Sequence, residues 1–333
     1  MQALVNKLSG KRFLVMGRVG MDLFPTLVGG AVEDATDMTV AMGGSSANIA
    51  AGLVKLGCKA ALLTRVSDDA VGRYCVNQLH RYGVDADHVT PIAGEFRNSL
   101  ALYETRIEGH QSVIYRNGAA DFEMTVQNVN AVDFSQFDAL ITAGTVFAAE
   151  PSRSAAFHAF NLARMAGLPV IFDVDYRPYS WPSPEVAEDI LSRAGALSDI
   201  IVANDEEFGF MAGGIDKGMA KARALAASSA EIVVYKMGPM GAITFANGEE
   251  TRSGVFKVTP LKPTGAGDSF MAGFLAALAE GRPLDEAVLR GSACAAIVVA
   301  RPGCAPAMPI TEELRAFLAA NPAPDTVLHS PKG

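Results

Sequence analysis

Short apolar runs alternate with amphipathic stretches along most of the chain. Residues 13–16, 61–66, 139–142, 170–174, 200–203 and 232–236 are almost continuously hydrophobic. Such runs suit strands of a sheet covered on both faces, where neither side of the pleat meets water. Between them lie helical stretches with readable ends. Ser45 or Ser46 is placed to cap a helix that runs to Leu56 and stops at Gly57. Stretches 69–82 and 152–166 end at Gly83 and Gly167; 266–278 approaches Gly281, and 284–299 follows. This alternation predicts a mainly parallel α/β architecture with helices on both sides of the sheet.

Two stretches break the pattern. Residues 24–41 have no helical period and carry several acidic and Thr residues, and 99–117 alternate like a hairpin around Glu108-Gly109. Both are expected to form strands of a small β-lid inserted into a main domain spanning 1–322. Asn247-Gly248 marks a further hairpin turn. The tail 323–333, with Pro324 and Pro331, is expected to be flexible.

Half of the 333 residues are hydrophobic, enough for a large core. The net charge is −8 and no basic stripe exists, which argues against nucleic acid or an anionic membrane as a partner. An anionic ligand would have to be held by a few local cations and by backbone N–H groups. Cys58, Cys75, Cys294 and Cys304 lack metal-type spacing, and residues 1–11 form no apolar leader. The expectation is four reduced thiols in a cytoplasmic protein. The apolar runs are too short or too broken to span a bilayer.

Chemistry concentrates in Lys262-Pro263-Thr264-Gly265-Ala266-Gly267-Asp268-Ser269-Phe270. A Gly-rich turn opens directly into an amphipathic helix carrying Phe270, Phe274 and Leu278 on one face. Successive N–H groups and the helix dipole then make an anion hole around Gly265, Ala266 and Gly267. Such a hole suits charge developing on a transferred phosphoryl group. Asp268, in the first helical turn, is placed to accept a proton from an attacking hydroxyl. Read alone, it is equally a helix cap.

Gly43-Gly44-Ser45-Ser46-Ala47-Asn48 is a second Gly-rich entry into a helix. The glycines let a ligand approach the backbone, and Asn48 offers a donor and an acceptor to a hydroxyl. Asp22 follows the first strand, where α/β folds place ligand contacts. Taken singly, Asn48 also suits a helix surface and Asp22 a turn.

With both segments in view, the chain resembles the ribokinase-like (PfkB) carbohydrate kinases from about Phe13 to Pro309. The early signature is Gly43 through Ala50 leading to Leu56-Gly57, and the late one is Thr264 through Gly273. The resemblance implies a three-layer α/β/α fold with a β-lid that often forms a homodimer interface. It implies ATP and Mg²⁺ as cofactor calls and a small sugar as partner. Asn204-Asp205-Glu206-Glu207 matches an Asn-x-x-Glu element, which implies that Glu207 organises the magnesium through water. Lys236-Met237-Gly238-Pro239-Met240-Gly241 resembles a strand-end loop near the nucleotide, so Asn204, Lys236, Gly238, Gly241 and Thr264 join Gly265 and Gly267 as nucleotide-side candidates.

The segment Asp173-Val174-Asp175-Tyr176-Arg177-Pro178 through Trp181, and Arg301 through Pro309, resemble the branch acting in inositol catabolism. That implies 5-dehydro-2-deoxy-D-gluconate, an acid sugar, phosphorylated on its terminal hydroxyl. Arg177 and Arg116 are placed to hold a carboxylate or the transferring phosphate, and either also suits a strand edge. Arg18 and Asn98 stand behind them as sugar-side candidates. A 2-keto-3-deoxygluconate kinase is the alternative, then a fructokinase or ribokinase. Outside the class stand a sugar sensor without turnover and a nucleotide-binding oxidoreductase, the latter suggested only by Gly17-Arg18-Val19-Gly20. Lys262 departs from the family pattern. Relatives with Asp there use it to help hold a monovalent cation beneath the anion hole, together with a hydroxyl near the position of Ala307. Here both ligands are missing, so the Lys262 ammonium is expected to replace the cation, and no monovalent ion is expected.

Overall fold

The computed structural model describes residues 1–329. Ten strands form one sheet: β1 (Arg12–Met16), β4 (Lys59–Ser67), β5 (Val89–Ile92), β8 (Ala139–Ala143), β9 (Val170–Asp173), β10 (Ile200–Asn204), β11 (Ile232–Lys236), β12 (Ala242–Ala246), β13 (Glu249–Ser253) and β14 (Thr326–His329). Their order is β14-β13-β12-β11-β10-β9-β8-β1-β4-β5. The seven strands from β11 to β5 in that order are parallel, and β12 to β14 close one edge antiparallel.

The sheet divides two apolar cores because its strands alternate. In β1, Phe13 and Val15 point to one core, and Leu14 and Met16 to the other. On the first side pack α1 (Gln2–Lys7), α2 (Ser45–Lys55), α3 (Ala70–Tyr82), α9 (Ala266–Ala279), α10 (Leu284–Val299) and α11 (Thr311–Ala320). The second side holds α4 (Val126–Asn130), α5 (Ser152–Met165), α6 (Pro184–Ala196), α7 (Asp205–Met211) and α8 (Gly218–Ser228). This is the expected three-layer α/β/α sandwich. Helix ends follow local chemistry: Asp69 accepts from the N–H groups of Val71 and Gly72 to start α3, and left-handed Gly83 stops it.

A second sheet of four strands has the order β3 (Met38–Gly43), β2 (Gly20–Pro25), β6 (Leu100–Tyr103) and β7 (Ser112–Tyr115). The stretch 24–41 carries strand only at its two ends, and both strands run past it, to Gly20 and Gly43. Between them lies a loop with one 3₁₀ turn at Val32–Asp34. Pairing puts Ala41, Asp22, Ala101 and Ile114 in one row across the sheet and Val40, Leu23, Leu102 and Val113 in the next. Successive residues alternate faces, so the buried Asp22 looks inward while exposed Val40 and Val113 look outward.

The C-terminal expectation needs correction. Residues 326–329, placed in a flexible tail, form β14 and pair with β13, extending the main sheet beyond 322. Backbone hydrogen bonding to β13 supplies this order, which the short run Thr326-Val327-Leu328-His329 behind Pro322 and Pro324 does not signal by itself. The rest of the expected tail, 330–333, lies outside the described residues. Asn247-Gly248 does join β12 to β13, with φ of 53° and 77°, the left-handed pair that a tight hairpin requires.

Candidate active site

The parallel strands end on one edge, so the segments leaving them converge. Arg18 follows β1, Asp175 and Arg177 follow β9, Asn204 ends β10 and Lys236 ends β11. The N-termini of α2 and α9 reach the same place. Gly265, with φ of 84°, is the N-cap of α9, and Asp268 lies in its first turn.

At the centre, Asn48 Nδ2 donates to Asp268 Oδ2 at 2.8 Å. The Oδ1 of Asn48 is buried with no hydrogen-bond partner among the described residues. An orphaned acceptor beside a carboxylate is a place for a hydroxyl that the chain itself does not supply. Burial pushes the Asp268 carboxyl up to about 6; Asp175 adds to this, while Asn48, Arg177 and Arg18 oppose it. Asp22 is likewise pushed up to about 6 by burial, against the attraction of Arg18. Two glycines make this crowding possible. A Cβ at Gly43 would lie 1.8 Å from Asp22 Oδ1, and Gly44, with φ of 96°, lets α2 start against the Arg18 carbonyl.

Arg177 reaches Asp175 at 2.6 Å, and Ser45 Oγ donates to the other oxygen of that carboxylate at 2.6 Å. Asp175 holds a left-handed φ of 34°, an uncommon conformation for a residue other than glycine. Arg116 pairs with Asp121, touches the Thr145 carbonyl and Ser180, and lies over the Phe122 ring.

At the end of β10, Asn204 and Glu207 cap α7 reciprocally, each side chain accepting from the other's backbone N–H at 2.8 Å. Burial raises both Asp173 and Glu207, and the nearby Lys236 charge offsets part of that. A Cβ at Gly267 would stand 3.3 Å from Lys236 Nζ. The ammonium therefore faces the start of α9, where a polyphosphate fits between backbone N–H groups and a cation. Gly238 and Gly241 bound the turn just after Lys236, with φ of 53° and 91°. Lys262 is fully buried. Its Nζ donates to the carbonyls of Thr264 at 2.5 Å and Val298 at 3.3 Å.

Asp22, Asn48, Asp268, Arg177 and Lys262 are thus gathered, with Lys236 and Glu207 alongside. Asn98 is placed differently. Its Oδ1 accepts from Ser67 N and Oγ, and its Nδ2 donates to the Val19 carbonyl, so it ties strands together with its amide fully used. Asp173 and Asp175 were not singled out from the sequence as site residues, although the string Asp173-Val174-Asp175 was in view.

The chain as a whole has relatives. Residues 11–311 match the pfkB family carbohydrate kinase model. A 5-dehydro-2-deoxygluconokinase from Photobacterium profundum is 35% identical over 92% of this chain and 94% of its own length. One of the same name from Geobacillus thermodenitrificans is 34% identical, over 92% of each chain. Among solved structures, a Vibrio cholerae fructokinase with bound fructose, ADP and potassium ion is similar with a TM-score of 0.81 at 25% identity, covering 93% of this chain and 99% of that one. A Xylella fastidiosa fructokinase with bound ATP shares the fold with the same TM-score at 21% identity, covering 93% and 99%. With this match along nearly its full length, and with a carboxylate set at the mouth of a Gly-rich helix N-terminus, the chain belongs to the pfkB family of carbohydrate kinases.

Proposed function

We propose that this sugar kinase transfers the γ-phosphoryl group of ATP to the terminal hydroxyl of an acidic ketodeoxy sugar, 5-dehydro-2-deoxy-D-gluconate. The observation that carries the mechanism is the Asn48–Asp268 contact with its orphaned acceptor, set at the N-terminus of α9. The sugar hydroxyl donates to Asn48 Oδ1 or to Asp268. Asp268 takes its proton as the oxygen bonds to the γ-phosphorus and the bond to the ADP oxygen breaks. The N–H groups around Gly265 and Gly267 hold the charge on the transferring group, with Arg177 beside them. Asp22 accepts from the remaining hydroxyls. A Mg²⁺ ion, carried with ATP, would neutralise phosphate charge. Asp173 and Glu207, buried carboxylates beside Lys236, suit such an ion through its water shell.

The names of the relatives support the acid sugar. A panel of ketodeoxy acids and neutral hexoses, scored by kcat/KM, tests it. The expected best substrate is 5-dehydro-2-deoxy-D-gluconate. A preference for 2-keto-3-deoxygluconate, or for fructose as in the Vibrio structure, would replace the assignment.

A monovalent cation does not fit beneath the Gly265 turn on this reading, because the Lys262 ammonium already takes the carbonyls there. The outward face of the small sheet, with exposed Val40, Val113 and Tyr115, is read as a homodimer interface, and the sheet itself as a lid. No helix among the described residues is long and apolar enough to cross a membrane, and the cytoplasm is the proposed compartment.

A further inference from the structure

Arg116 and Arg18 lie within electrostatic reach of each other, Arg18 and Arg177 within reach of Asp268, and the charges of these three arginines are balanced differently. Arg116 is buried against Asp121, and Arg177 is bound to Asp175. Arg18 is 6% exposed, yet among the described residues no carboxylate lies within ion-pair distance of it. Its Nη1 donates to Ser99 Oγ at 3.2 Å. Its Nε is buried without a partner, and no hydrogen bond engages Nη2 among the described residues. Arg116 also has an unpartnered Nε, but its charge is met by Asp121.

The free Nε–Nη2 edge is the one whose parallel N–H groups match the two oxygens of a carboxylate. A guanidinium taken out of water with no anion beside it is costly, and a ligand that supplies the anion relieves that cost. The backbone of Arg18 is anchored at the start of α2. Ala47 N donates to the Arg18 carbonyl at 3.2 Å, against the turn at Gly44. Burial raises the carboxyls of Asp22 and Asp268, and the Arg18 charge opposes it at both, so it lies within electrostatic reach of the sugar-side acid and of the base.

We infer that Arg18 is the receptor for the carboxylate of the sugar acid, and hence the residue that sets preference for acidic over neutral substrates. This rests on the acid-sugar reading above. Arg116 and Arg177 are the less suited pair, since a substrate carboxylate would have to compete with Asp121 or Asp175.

The test compares wild type, Arg18→Met and Arg18→Lys on 5-dehydro-2-deoxy-D-gluconate and on its uncharged primary amide, with ATP saturating. Thermal unfolding of each variant establishes that it is folded. The acid-to-amide ratio of kcat/KM should fall by roughly 30-fold or more in Arg18→Met, chiefly through KM, and by less in Arg18→Lys. An unchanged ratio in folded Arg18→Met overturns the inference, as does equal loss on both substrates. The same assay is run with 2-keto-3-deoxygluconate and its amide. If the Arg18 effect appears there alone, the receptor stands and the assigned sugar falls. A wild type that ignores the charge of every substrate removes both.

Discussion

Asp268 is asked to be a base where burial disfavours its charge. Its carboxyl is held up at about 6, and so is that of Asp22. The base must be ionised, so kcat/KM should fall below about pH 6. With Asp22 losing charge in the same range, the acid limb should be steeper than one proton predicts; a pH–rate profile of unit slope would count against this coupling. Asp268→Asn should lose roughly 10²–10⁴-fold in kcat while remaining folded. Its stability should move the other way. A carboxyl raised on folding binds its proton more tightly in the native state, so ionisation weakens the fold as pH rises from about 4 through 6. Asp268→Asn should therefore melt higher than wild type at pH 8, with the gap closing toward pH 4. Calorimetry at both values checks the sign. Lys262 carries the opposite charge under similar constraint, fully buried with carbonyls as its acceptors. Replacing potassium by tetramethylammonium at constant ionic strength should leave wild-type turnover unchanged. Lys262→Met, which keeps the stem, should lose on the order of 10²-fold in kcat, the scale of one anion-hole interaction. Strong potassium activation of the wild type would remove Lys262 from this role.

At the level of elements, the small sheet is the part expected to move. It is joined to the main body at strand ends, and its outward row is exposed. Amide exchange in β2, β3, β6 and β7 should be faster than in β8 to β11 without ligand and should slow when sugar binds. Equal protection in both states would argue against closure. The central strands were legible because residues such as 139–142 and 232–236 are apolar on both faces and must be covered twice. Helix α8 was not, since its alanines, with one lysine and one arginine among them, leave a faint apolar stripe. β14 was hidden for another reason: its pairing with β13 runs through backbone atoms. In the site, the two Gly-rich entries and Asp268 were readable because tight turns into helices restrict residue type. The ranking of the arginines was not. Asp175 and Asp121 are close in sequence to Arg177 and Arg116, yet nothing in the chain says that these carboxylates turn inward to neutralise them while Arg18 is left unmatched. Asn98 shows the same limit: its partners Ser67 and Val19 lie 31 and 79 residues away.

For the molecule as a whole, the outward face of the small sheet is the proposed site of assembly. Val40, Leu23, Leu102 and Val113 lie in one row across its four strands, and Tyr115 is 63% exposed on β7. A continuous apolar row of this kind is covered by a second copy in the proposed dimer. Light scattering should give the mass of two chains for wild type and of one for Val113→Glu, since a buried unpaired carboxylate opposes association. A wild type of single-chain mass would dispose of the dimer.

The chain passes between its two sheets at four places, and three of them carry residues of the proposed sugar site. Arg18 lies between β1 and β2, Gly43 ends β3 with Gly44 leading into α2, and Arg116 comes just after β7; at the fourth, Asn98 and Ser99 precede β6. If the small sheet closes as a lid, these crossings are its hinges. A substrate gripped by Arg18 and seated against the Gly43 turn would act as a strut across two of them, so recognising the sugar and stiffening the joint become one event. A sugar without the acid would leave one pivot loose even when its hydroxyls fit, and the closed geometry would then be sampled less often. Discrimination would be read partly in how firmly the joint locks, as well as in how tightly the ligand binds.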